Sequence, residues 1–318
     1  MASDEPPETL AGVGEFVVID RLVAHREQPD TVRLGPGDDA AVVSAPDGAT
    51  VVSTDMLVEG SHFRLDWSTP LDVGRKAIAQ NAADIEAMGA AATAFVVAFG
   101  APGDTPVAHT VELADGLWHE AHLLGAGIVG GDLVTAPQWV ISVTALGDLG
   151  GREPIRLDGA RAGDTVAVIG DLGWSSAGYA LWVNEIQGFE PLRRRHLVPE
   201  PPYGQGRIAA DAAATSMTDV SDGLVADLGH IARASGVGVD VSWDLLGADL
   251  GPLPQAAAAL SMDPRTWVLT GGEDHALVAT FDAAPPTGWR AIGRVVDGPA
   301  RVLIDGEQWR GDSGWQSF

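Results

Sequence analysis

The sequence predicts a two-domain α/β protein with α+β character, and three observations predict it. Short apolar, strand-like runs alternate with helix-period segments along almost the whole chain. At 318 residues the chain has room for two ordinary domains. Near the middle, a stretch rich in Gly, Asp and Arg (Gly147–Gly163) interrupts the alternation, which places the expected domains at 1–150 and 151–318. No segment of 20–50 residues repeats, so solenoids and propellers are excluded.

Each element has its own signal. Phe16, Ile19, Leu22 and Val23 recur at helical spacing and predict a short helix over Glu15–His25. Ala40–Ser44 and Thr50–Ser53 read as strands joined by the turn Ala45-Pro46-Asp47-Gly48. Thr69-Pro70 opens a long helix that runs to about Met88, with Pro in the first turn and Gly89 as its stop. Ala94–Phe99 reads as a buried strand and Pro106–Leu124 as a helix. Ile128–Val129 and Trp139–Leu146 read as strands on either side of a loop, Gly130-Gly131-Asp132.

Beyond the boundary come strand Thr165–Ile169, helices Ser175–Ile186 and Gly204–Ala213, strand Met217–Val220 and helix Leu224–Ser235. Strands near Val237–Val241, His275–Phe281 and Arg301–Ile304 complete the second half. Pro252–Leu260 and Ala283–Thr287 read as local loops or short helices.

Composition narrows the function. A hydrophobic fraction of 46% supports real cores, and no apolar run reaches the roughly 18–20 residues of a membrane span. The N-terminus MASDEPPETL lacks the basic start and apolar core of a signal peptide, and there are no cysteines, so the cytoplasm is the expected compartment. With 19 basic against 44 acidic residues the formal charge is −25, which repels nucleic acid and anionic membranes. The run Arg193-Arg194-Arg195-His196 is too short to reverse that. Lys76 is the only lysine, and it sits in Gly74-Arg75-Lys76-Ala77, so there is no Gly-Lys-Ser/Thr phosphate loop. Any ATP chemistry must take another route.

The aspartates suggest that route. Gly37-Asp38-Asp39-Ala40 puts two carboxylates on a Gly-rich turn, and Ser53-Thr54-Asp55 ends the next strand with two hydroxyls and a carboxylate. Asp84 lies inside the long helix, on the same face as Asn81 three residues earlier. Gly130-Gly131-Asp132 follows an apolar strand. In Asp219-Val220-Ser221-Asp222-Gly223, alternation points Asp219 and Ser221 the same way. Mg²⁺ prefers oxygen ligands, commonly one or two carboxylates with substrate phosphates, and neighbouring glycines admit phosphate oxygens to backbone amides. One Asp beside Gly is an ordinary turn. Five acidic clusters at element ends point to a site, although a non-catalytic divalent-cation binder would display the same carboxylates.

Taken in order, these motifs resemble the thiamine-monophosphate kinase family over nearly the whole chain. The resemblance rests on Gly14-Glu15-Phe16, Gly37-Asp38-Asp39-Ala40, Ser53-Thr54-Asp55, Glu59-Gly60-Ser61-His62-Phe63, Asn81-Ala82-Ala83-Asp84-Ile85 with Met88-Gly89-Ala90, and Gly130-Gly131-Asp132. Ala162-Gly163-Asp164, Asp219-Val220-Ser221-Asp222-Gly223-Leu224 and Thr270-Gly271-Gly272-Glu273-Asp274 carry it through the second half.

The resemblance implies the two-domain fold of the aminoimidazole ribonucleotide synthetase-like superfamily. In that fold the sheet of an N-terminal, ATP- and Mg-binding domain forms a homodimer interface, and a C-terminal α/β domain completes the site. It also implies a reaction: ATP phosphorylates thiamine monophosphate, giving thiamine diphosphate and ADP. By position, Asp39, Ser53, Thr54, Asp55, Asp84, Asp132 and Asp219 are implied to bind Mg²⁺, and Asp222 a further ion. Gly131, Asp132, Arg156 and Ser221 are implied to contact ATP, and His62, Glu273 and Trp315 the thiamine substrate. No covalent nucleophile or general base is implied, because the second pKa of a phosphate monoester, roughly 6, leaves the acceptor largely ionised.

The sequence departs from the family pattern at four places. Ala82-Ala83 replaces a more usual Leu-Ser, and Leu157 stands where many members have Arg, with Arg156 one residue earlier. His275 replaces an aromatic residue, and the chain ends Gly314-Trp315-Gln316-Ser317-Phe318 instead of Gly-Tyr-Asp-His-Phe. Another ATP-using enzyme of the superfamily is the nearest alternative.

Overall fold

The structure is a computed structural model that describes residues 8–36, 41–247, 250–309, 311 and 314. The expected sites Asp39 and Trp315 lie outside them. The chain divides into two compact units: residues 1–81 with 92–148, and residues 82–91 with 149–318.

The first unit opens with α1 (Leu10–Val13), α2 (Glu15–Val23), β1 (Val32–Leu34) and β2 (Val42–Val43). β3 (Val51–Val58), α3 (Pro70–Ala87), β4 (Ala91–Ala101), α4 (Val107–Leu123), β5 (Gly127–Thr135) and β6 (Val140–Asp148) follow. Its four-stranded sheet runs β3-β6-β4-β5, with β3 antiparallel to β6 and β4 parallel to β5. Odd-numbered residues build the core face: Leu57, Phe95, Phe99, Ile141, Val143 and Ala145 are all buried. The opposite face keeps apolar side chains in the open, with Val52 59%, Met56 53%, Val134 53% and Val96 37% exposed.

α3 is nucleated by a reciprocal cap. The Thr69 hydroxyl accepts the Asp72 amide at 3.2 Å, and the Asp72 carboxylate accepts the Thr69 amide at 3.2 Å and its hydroxyl at 2.9 Å. The helix stops at Gly89 in a left-handed conformation, and residues 82–91 belong to the second unit.

The second unit contains β7 (Thr165–Ile169), α5 (Trp174–Val183), α6 (Glu190–Leu197), α7 (Gln205–Asp211), β8 (Ser216–Asp219), α8 (Leu224–Ser235) and β9 (Gly238–Val241). It continues with α9 (Trp243–Leu246), α10 (Leu253–Leu260), α11 (Pro264–Thr270), β10 (Leu277–Phe281), β11 (Arg290–Val296), β12 (Arg301–Ile304) and β13 (Glu307–Gln308). The seven strands order β13-β12-β9-β11-β7-β10-β8, antiparallel except where β12 meets β9. Both faces are covered. Val166, Val168, Val278 and Ile292 enter one core, while Ala167, Met217, Leu277 and Phe281 enter the other.

Three local expectations change. Gly130-Gly131-Asp132 is not a loop but the middle of β5, which carries one extra residue against β4 between Phe95 and Val96. β3 does not end at Ser53-Thr54-Asp55 but continues to Val58, because its entire length pairs with β6. The arginine run is no free basic patch but the body of α6, where Arg193 is buried over the Trp182 ring. Among the described residues no helix is long and apolar enough to cross a membrane.

Candidate active site

In the first unit, alternation along β3 sends Ser53 and Asp55 to the core face and Thr54 to the other. α3 clamps the strand at Asp55. The fully buried Asn81 accepts the Asp55 amide at 3.0 Å, and Gln80 Nε2 donates to the Asp55 carboxylate at 3.4 Å. Asn81 is itself fixed by donating to the Ala77 carbonyl at 2.9 Å. The structure thus brings Ser53 and Asp55 together but sets the Thr54 side chain apart: its hydroxyl donates to the Val143 carbonyl at 2.9 Å and lies 3.2 Å from that of Thr144.

On β5, Gly131 lies so close to β4 that a Cβ would stand 1.9 Å from the Val97 carbonyl oxygen. Only glycine fits. Asp132 next to it is exposed, and its carboxylate accepts the Leu133 amide at 2.9 Å.

His62 lies in the turn that follows β3. Its Nδ1 accepts the Val58 amide at 3.0 Å, which leaves the ring hydrogen on Nε2. Lys76 of α3, only 2% exposed, donates Nζ to the His62 carbonyl at 2.8 Å. The single lysine of the chain tethers this turn.

The second unit gathers more of the expected residues. The backbone of Glu273 donates to the Ser221 carbonyl at 2.8 Å and that of His275 to the Val220 carbonyl at 2.9 Å, so segments 219–222 and 273–275 lie side by side. Glu273 and His275 both adopt left-handed conformations, with φ 63 and 54. Such strain in residues bearing side chains persists where the surroundings fix it. His275 Nδ1 meets the Asp219 carboxylate at 3.0 Å. Burial pulls the His275 imidazole down, but the Asp219 hydrogen bond and charge, with those of Glu273 and Asp84, raise it above its ordinary range. Asp84, on α3, is half-buried.

Two carboxylates here are forced toward neutrality. Burial, then the charges of Asp219 and Asp222, push Asp227 up to about 7, although it accepts the amides of Asp222 at 3.1 Å and Gly223 at 3.0 Å. Burial likewise pushes Asp274 up to about 7 while its two oxygens accept the amides of Gly173 and Ser175 at the start of α5. Donor atoms of Asp222, Asp227 and His230 lie within 4.8 Å of one another. Crowded carboxylates whose mutual repulsion shifts Asp227 suit a hard divalent cation, and the oxygen-rich donor set matches the preference of Mg²⁺.

Arg156 stands outside this group. It is exposed, its guanidinium forks onto Asp158 with Nε 2.9 Å from Oδ1, and both residues line a cavity of about 510 Å³ with Arg152, Asp211 and Thr215.

The chain matches two family models: AIR synthase related protein, N-terminal domain, over residues 37–149, and the C-terminal domain of the same family over residues 161–306. The thiamine-monophosphate kinase of Mycobacterium tuberculosis is 67% identical over 318 residues, covering 100% of this chain and 95% of the relative. This chain belongs to the thiamine-monophosphate kinase family.

Solved structures of the family agree. The thiamine-monophosphate kinase of Stenotrophomonas maltophilia K279a superposes with a TM-score of 0.79 at 31% identity, covering 92% of this chain and 96% of that one. AaThiL complexed with AMPPCP and TMP gives 0.78 at 31% identity, covering 99% and 100%. Against the thiamine-monophosphate kinase pattern, sequence reasoning passes over Asp227, Asp274, His196 and the supporting role of Lys76. Asp227 has a readable signal, an acidic residue in the first turn of the predicted helix Leu224–Ser235. Lys76 and His196 have none, because their partners are distant in sequence.

Proposed function

We propose that this chain transfers the γ-phosphoryl group of ATP to the phosphate of thiamine monophosphate, giving thiamine diphosphate and ADP. The observation that carries the reading is 67% identity to a thiamine-monophosphate kinase over the full chain. The carboxylate groups around Asp55 and around Asp219 supply chemistry consistent with it. We assign Asp39, Ser53, Thr54, Asp55, Asp84, Asp132, Asp219 and Asp222 to several Mg²⁺ ions; the Thr54 hydroxyl would have to leave the Val143 carbonyl to join them. When bound, Mg²⁺ supplies charge neutralisation to the two approaching phosphates.

The chain's own residues do the rest. Asn81 holds the strand under Asp55, His275 holds Asp219, and Asp227 ties down the turn at Asp222 and Gly223. Gly131, Asp132, Arg156 and Ser221 take the nucleotide; for Arg156 a phosphate displaces Asp158, which suits the bidentate fork of guanidinium. His62, Glu273 and Trp315 take the thiamine moiety, and an indole suits a cationic thiazolium through an attraction worth roughly 0.5–2 kcal/mol. No side chain serves as covalent nucleophile or general base.

A homodimer formed through the open face of the β3-β6-β4-β5 sheet is part of the reading, supported by the exposure of Val52, Met56 and Val134. The cytoplasm is its assigned compartment. The test is direct: the purified protein is incubated with Mg-ATP and thiamine monophosphate, and products are read by mass. Thiamine diphosphate with ADP is expected. ADP formed only with another acceptor favours a superfamily cousin, and metal binding without turnover favours a cation-binding protein.

A further inference from the structure

The last residue of the arginine run, His196, does not serve the surface. It lies in the final turn of α6, its side chain 9% exposed, with Nδ1 3.4 Å from the Glu273 carboxylate and 3.2 Å from the Ser175 hydroxyl. An ionised Glu can only accept, so with its hydrogen on Nδ1 the ring donates toward the Glu273 carboxylate, while the Ser175 hydroxyl can pair with either tautomer. The ring is fixed by packing. Tyr179 meets it edge-on with centroids 5.4 Å apart, and α6 comes so near α5 that a Cβ on Gly178 would stand 2.9 Å from the His196 Cβ and 2.1 Å from the Leu192 carbonyl oxygen.

The same corner holds the backbone under Glu273. Its amide is bonded to the Ser221 carbonyl at 2.8 Å, and the next residue, Asp274, is locked onto the start of α5 through Gly173 and Ser175. Ser175 therefore receives Asp274 at its amide and His196 at its hydroxyl. Glu273 is held at both ends: backbone by the 221 turn, carboxylate by His196.

We propose that His196 is a positioning residue that aims the Glu273 carboxylate at the heterocyclic moiety of the substrate, which carries a cationic ring and an amine. The proposal rests on the reading that Glu273 contacts thiamine monophosphate. It assigns the buried end of α6 a role in acceptor recognition, separate from nucleotide binding. The placement suits the task, since a helix C-terminus favours an imidazole that donates or carries positive charge. Without His196 the Glu273 carboxylate loses one of its anchors, and the loss falls on acceptor affinity.

Steady-state kinetics of His196→Ala, His196→Gln, Glu273→Ala and the double variant test this. Loss of the His196–Glu273 contact is expected to raise KM for thiamine monophosphate roughly tenfold in His196→Ala, with KM for ATP and kcat held within about twofold. His196→Gln, which keeps a donor, recovers most of the loss. The double variant is no worse than Glu273→Ala alone, because both substitutions remove one interaction. His196→Phe keeps the packing against Tyr179 while deleting the donor, and it carries the comparison if His196→Ala does not fold. A fall in kcat with both KM values unchanged, or additive effects in the double variant, overturns the proposal. If Glu273→Ala raises KM and neither His196→Ala nor His196→Phe does, the proposal fails while the site reading stands. An unchanged KM in Glu273→Ala overturns both.

Discussion

A buried carboxyl with a raised pKa makes stability depend on pH in a defined sense. Asp274 titrates near 7 when folded and near the ordinary carboxylate value when unfolded, so between those limits the folded chain binds more protons. Its stabilisation is complete below the unfolded value and is lost as pH rises through about 7. Wild type therefore loses stability relative to Asp274→Asn as pH is raised from about 5 to 8, read as a fall in the wild-type Tm minus the variant Tm; a constant difference contradicts the assignment. At the carboxylates proposed to hold Mg²⁺ the readout is turnover. Asp84→Asn is expected to lower kcat by roughly a hundredfold or more with an unchanged circular dichroism spectrum, and near-normal kcat contradicts the role given to Asp84. The aspartates were legible one by one because most lie beside a glycine or a strand end, and Asp84 because it interrupts an Ala-rich helical stretch. Their partners were not: Asn81 reaches Asp55 across 26 positions and His275 reaches Asp219 across 56.

Elements show the same division between local and distant causes. α3 and α8 are readable because their caps are local: Thr69 with Asp72 in one, Gly223 with Asp227 in the other. α6 carries three consecutive arginines that hide its apolar period, and only folding reveals that Leu192, Arg193, His196 and Leu197 share a buried side. β5 looks like a loop because glycine usually breaks strands, yet here glycine is what allows β4 to approach. Lys76 on α3 ties helix to turn, so Lys76→Met removes a buried donor and leaves the His62 carbonyl without it. The expected cost is about 2 kcal/mol of stability, measured by denaturant unfolding, with a several-fold rise in KM for thiamine monophosphate. Stability and KM both equal to wild type contradict the tether.

For the whole molecule, the two-unit α/β organisation follows from composition and alternation. The proposed dimer face does not, because Val52, Thr54 and Met56 alternate with partly buried residues as in an ordinary amphipathic strand. The exposed apolar side of a sheet whose other face is core needs a cover. A Val52→Glu, Met56→Glu variant is expected to run as a monomer in light scattering where wild type runs as a dimer; a monomeric wild type contradicts the dimer directly.

In the proposed mechanism carboxylates and their cations, not a lysine-bearing loop, hold the nucleotide. Anomalous scattering of Mn²⁺ in crystals grown with a non-hydrolysable ATP analogue tests this arrangement. Peaks are expected at roughly metal–oxygen bonding distance, about 2.1–2.2 Å, from the carboxylates of Asp219 and Asp222 and from the analogue's phosphate oxygens. A bound triphosphate contacted by arginine side chains, with no peak beside those aspartates, would contradict it.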